Sequence, residues 1–202
     1  MSVQTIEDTS TNKFLGPAIF LIVVLVALVA LNFPLRVNQD VLVEQSSDVI
    51  ATINGAEITR TEFQDQIDFI LATNVILGQS GGQIDEFGLF NQMMEEKMLL
   101  SYAENSVSVA PEMLQQESER ILSQLGFTRD QFAELLAQNG SSIRTYDGVI
   151  YSNMTIIRFI EDDLLVDVPV EEQQMFFGTW LNERMNEAVV DLDEGFLSEL
   201  NQ

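Results

Sequence analysis

The sequence contains no cysteine and no histidine. Without cysteine there is no disulfide, no zinc-thiolate site and no thiol nucleophile. Without histidine, the usual general base at neutral pH and the commonest nitrogen ligand for metals are missing as well. Positive charge is nearly as scarce. Nine basic side chains, of which only Lys13 and Lys97 are lysine, face 32 acidic ones, for a net charge of −23. A surface of that sign repels nucleic acid and anionic headgroups, so nucleic acid is not an expected partner. Acidic surfaces poor in lysine suit a high-salt habitat and also suit any very soluble acidic domain, and composition leaves both open. Phosphate loops, nucleophile elbows, zinc spacings and calcium loops are absent too. The expectation is a non-catalytic protein without metal or cofactor.

What is present argues for a folded chain, since 46% of residues are hydrophobic and 20% charged. Residues 14–35 read FLGPAIFLIVVLVALVALNFPL, with Asn32 the only strongly polar side chain. As a helix this run reaches about 33 Å, enough to cross a hydrocarbon core. Pro17 fits the first turn and Pro34 marks the far end. The apolar stretch is longer than a signal peptide needs, and Ala27 and Ala30 are spaced wrongly for cleavage. It is therefore expected to be an uncleaved transmembrane anchor following a tail, 1–13. Lys13 and Arg36 flank it almost symmetrically, so charge does not set its orientation. Residues 36–48 read as a polar tether.

Beyond the tether the pattern is mostly α. Val49 to Ile53 is a short strand, Asn54-Gly55 a tight turn, and Thr59 with Glu62 a capping box that starts a helix running to about Leu77. Phe63, Ile67, Ile70 and Leu71 form its stripe. A loop over 78–83 precedes a helix over about 85–105, apolar around a wide arc that includes Leu89, Phe90, Met93, Met94, Met98, Leu99 and Leu100. Such an arc implies burial on more than one side, or a sticky surface. A third helix starts at Pro111 and ends at Gly126, with Leu114, Ile121, Leu122 and Leu125 as its stripe. Thr128 and Gln131 cap a short fourth helix, and Ser142 caps a long fifth one carrying Ile143, Tyr146, Ile150, Met154, Ile157 and Ile160. After a break at Leu164 to Pro169, a helix over 171–188 carries Phe176, Phe177, Trp180 and Leu181. Val189 to Leu192 fits a strand, and the tail after Asp193 is expected to fray.

The segment VIATINGAEITRTEF resembles the opening of the N-terminal domain of SurA-, PpiD- and PrsA-type chaperones. The likeness continues through Met93 to Ala103, Val107 to Val109, Gly126 to Phe132 and Gly140 to Tyr146. Each piece is common, whereas their order and spacing over residues 48–162 are specific. The resemblance implies a helical domain that cradles unfolded exported proteins, with TWLNERMNEAVVDL as a final helix and strand returning to it. In such proteins a parvulin isomerase domain usually precedes that helix. Here there is no room for one between Asp162 and Glu171, so isomerase activity is not implied.

The expected domain is therefore a SurA N-like unit over 49–202, including the helix 171–188. Its partners would be unfolded or partly folded polypeptides, and it would sit outside the cytoplasm on a single-pass membrane anchor. An alternative is an accessory subunit that binds one fixed partner in a membrane complex. Methionine and aromatic side chains adapt to varied ligands. The candidate client-binding residues are accordingly Phe69, Phe90, Met93, Met94, Met98, Tyr146, Tyr151, Met154, Phe177 and Trp180. The acidic pairs and runs, Glu95-Glu96 and Glu161-Asp162-Asp163, read as solvated faces rather than cation sites.

Overall fold

The computed structural model describes residues 48–79 and 83–200. The apolar run 14–35, the tail before it and nearly all of the tether lie outside them, as does part of the 78–83 loop. Strand β1 (Val49–Ile53) and strand β2 (Ala56–Thr59) form an antiparallel hairpin. Its two-residue turn works because Asn54 and Gly55 both take positive φ, 51° and 84°, the left-handed pair that matches strand twist. Strand β3 (Val190–Leu192) adds to the other side of β1, also antiparallel, giving the order β2-β1-β3. The expected strand at 189–192 is thus present as Val190–Leu192, and a late segment of the chain pairs with the first described strand.

Helix α1 (Arg60–Ile76) begins at the expected capping box, in which Thr59 and Glu62 bond each other's backbone. Its buried residues are Phe63, Ile67 and Ala72. Leu71, expected on the stripe, is exposed. The helix turns its later half toward a second partner, so Ala72, with Phe69 and Ile76 beside it, takes the inner face instead. Helix α2 (Glu86–Ser106) starts at Asp85, whose carboxylate accepts from the Gly88 N–H. It packs on β1, β2 and α1 and also on helix α5 (Ile143–Phe159). Packing on both sides buries Leu89, Phe90, Met94, Met98, Leu99 and Ala103, and so accounts for the wide apolar arc.

Helix α3 (Pro111–Leu125) ends where Gly126 adopts φ 85°, and helix α4 (Arg129–Gln138) starts at the Thr128–Gln131 capping box. Together with α1 and α5 they enclose a cluster of Ala72, Leu122, Phe132, Leu136, Tyr146 and Ile150. A polar tie fastens the three later helices. Arg129 forks onto Asp147 at 2.9 and 2.5 Å and reaches the buried Ser118 hydroxyl, while the Tyr146 hydroxyl donates to the Ser118 carbonyl at 3.2 Å. The α5 stripe drifts from the expected one, since Ile156 and Phe159 are buried and Ile157 is only partly so.

Past Phe159 the helix widens into a π turn (Ile160–Leu164), and a short connection leads to helix α6 (Gln173–Glu187). No further domain intervenes. Helix α6 returns to the earlier elements through Trp180, whose ring lies 5.4 Å from Tyr102 of α2 and 5.7 Å from Phe159 of α5. Phe177 and Leu181 are buried with it, whereas Phe176, expected on the same stripe, is 42% exposed. The tail after Asp193, expected to fray, is helical over residues 194–200. Asp193 caps helix α7 (Glu194–Leu200), whose buried Phe196 meets Phe63 and Phe90 edge-on.

Because half-buried Trp180 is the aromatic link from α6 to both α2 and α5, Trp180→Ala should cost about 3 kcal/mol in urea unfolding of the full chain. Exposed Phe176→Ala should cost less than about 1 kcal/mol. Equal effects would mean that α6 is not docked through Trp180.

Candidate functional site

One groove of about 450 Å³ lies among α1, α2 and the start of α5. Helical spacing brings its lining together. From α2 come Met93, Glu96, Lys97, Leu100 and Glu104, one face at intervals of three and four residues; from α1 come Glu62, Asp65 and Gln66. The first turns of α5 supply Arg144, Thr145, Gly148, Val149, Tyr151 and Ser152, and its cap residue Ser142 completes the lining. Gly148 leaves open space where a side chain would stand, so the groove keeps access along α5.

Its walls are tied by one ion pair, Lys97 to Glu62 at 3.0 Å. Partial burial works against the Glu62 charge, but the Thr59 N–H and the Lys97 ammonium outweigh it and hold the carboxyl below its ordinary range. Glu96 goes the other way: burial pushes its carboxyl up, with the Ser152 hydroxyl and Lys97 only partly offsetting this.

The ten candidate residues do not form one surface. Met93 and Tyr151 line the groove. Phe90, Met94 and Met98 are interior, at 1%, 0% and 0% exposure, because α2 is covered on two sides. Their expected role as groove lining is corrected to core. Tyr146 is likewise buried in the α3–α4–α5 cluster, against which Phe69 and Met154 pack as partly buried side chains. Phe177 is buried and Trp180 half-buried at the α6 junction. The sequence reading missed Leu100, Val149, Asp65, Glu104 and Arg144. The first two carry the usual signal of an amphipathic face, and the charged ones carry none until three helices are placed side by side.

The Glu95-Glu96 pair also needs correcting. Glu95 is 4% exposed, not solvated, and its Oε2 has no hydrogen-bond partner. Among the described residues, no group of three acidic side chains is placed to hold a metal ion. Nor is any described helix long and apolar enough to cross a membrane.

The small antiparallel sheet, the capped helices and the returning α6 make this a mostly helical domain with an open groove. The family model for the SurA-like N-terminal domain matches residues 12–159, and the chain belongs to that family. The family is of chaperone type. No curated protein matches the chain.

Burial raises the Glu95 carboxyl from an ordinary 4.5 to about 7. The folded chain therefore binds this proton more tightly than the unfolded chain does. Stability from this group is greatest below its unfolded pKa, falls as pH rises toward 7 and levels off above that. Glu95→Gln should gain about 2 kcal/mol on wild type between pH 5 and pH 8, read by urea unfolding at both. A gap that does not change with pH would show that Glu95 is not held in a desolvated site.

Proposed function

We propose that this protein is a membrane-tethered, extracytoplasmic holdase that binds unfolded or partly folded exported polypeptides without nucleotide. Membership of the chaperone-type SurA-like N-terminal domain family carries this reading. The groove supports it, since Met93, Leu100, Val149 and Tyr151 offer adaptable apolar contact in a cleft open to solvent. The tether rests on the apolar run 14–35, long enough to span a bilayer. Isomerase activity is no part of the proposal: the chain passes from α5 through a π turn and short connection directly to α6.

A second reading, an accessory subunit with one fixed partner, is favoured by a different surface. Val166, Val170 and Met175, around the connection into α6, are 64%, 81% and 72% exposed.

The full chain should suppress aggregation of several unrelated unfolded clients at near-stoichiometric ratios, with no nucleotide added. Replacing Met93 and Tyr151 with serine should remove most of that protection while moving stability by no more than about 2 kcal/mol, because neither side chain is fully buried. The chain should also stay in the membrane fraction through carbonate washing. Clients that aggregate at their normal rate would end the holdase reading in favour of the subunit. Release by carbonate would end the tether.

A further inference from the structure

The groove carries more than apolar side chains. Asp65, Glu96 and Glu104 stand on its walls and take part in none of the ion pairs among the described residues. Glu62 is already occupied by Lys97. On the basic side, Arg60, Lys97, Arg120, Arg129, Arg158 and Arg184 all hold carboxylates; Arg144 is in no such pair. Even leaving aside Glu96, which burial and the Ser152 hydroxyl engage, Asp65 and Glu104 outnumber Arg144 among the groove's charges outside ion pairs, on a chain of net charge −23.

We propose that the groove selects short unfolded segments in which basic side chains alternate with apolar ones. The apolar side chains seat on Met93, Leu100, Val149 and Tyr151, and the basic ones reach Asp65, Glu96 and Glu104. This rests on the holdase reading and specifies its substrate class. The division of labour follows from magnitudes. Exposed ion pairs add little affinity in water, so burial of apolar surface supplies the grip and the carboxylates supply the selection. Glu96 adds to that selection, because an arriving cation favours the charged form that partial burial now opposes. An acidic segment meets the opposite situation, with Arg144 alone among the described basic side chains outside an ion pair and able to receive it.

The test uses the full chain and two labelled peptides of equal length with the same apolar residues. One peptide carries lysine at every other position and the other carries glutamate, and binding is followed by fluorescence anisotropy. The lysine peptide should bind about tenfold more tightly or better at low ionic strength, and added salt should shrink the difference. The double variant Asp65→Lys/Glu104→Lys should lose most of that preference. The charge-matched variant Asp167→Lys/Glu171→Lys, at exposed positions that do not line the groove, should keep it. Equal binding of the two peptides, or no binding of either, overturns the proposal. So does an equal loss of preference in both variants, which would assign the effect to the field of the whole chain. In each of these events the aggregation assay decides separately: continued protection of clients leaves the holdase reading standing, and its loss removes both.

Discussion

The structure depends on helix α2 being covered on two sides. Phe90 meets Phe63 and Phe196 beside the sheet, and Met94, Met98, Leu99 and Ala103 are buried along the same helix. At about 1.5 Å per residue, α2 is long enough to hold the sheet, α1, α5 and the α6 junction along one rod. Each buried apolar side chain contributes about 1.5–3 kcal/mol of transfer free energy, so this one helix organises a large part of the fold. The cost is visible at Glu95, which falls inside the covered arc and is left with an unpartnered oxygen.

The same arrangement makes the groove. Helices α1 and α5 both pack on α2, and the face of α2 carrying Met93, Glu96, Leu100 and Glu104 lines the opening they share. The Glu62–Lys97 pair fastens one wall, and the Thr59 capping box fixes Glu62 in turn. A local signal that starts a helix thus also positions a side chain of the site. In the proposed holdase, this open cleft lined by methionine and tyrosine would take varied polypeptides, and its carboxylates would add the proposed preference by charge.

Local signals were the most legible part of the sequence. The Asn54-Gly55 turn, the Thr59 and Thr128 capping boxes, Pro111 and Gly126 each act through a few neighbouring atoms, and each element starts or ends where they place it. Residues that depend on two helices at once were legible only in part. Leu71 and Phe176 fit a helical period yet face solvent, because α1 and α6 change partners or lie at an edge. Phe196 was assigned to a frayed tail although it is buried, since its partners Phe63 and Phe90 lie far away in the chain. Methionine identity pointed to a binding surface, but burial separates Met93 from Met94 and Met98, and burial is a property of the packed helices. The wide arc of α2 fits burial on two sides or a sticky surface equally well in sequence, and only the packed helices decide for burial, Glu95 included.

The account turns on the groove, rather than the exposed apolar residues near α6, being where a client is held. A photo-crosslinking residue placed at Tyr151 in one variant of the full chain and at Met175 in another would test this against the same unfolded client. The account predicts strong capture from position 151 and little from 175, although the latter is the more exposed of the two, 72% against 38%. Preferential capture from 175, or equal capture from both, would contradict it.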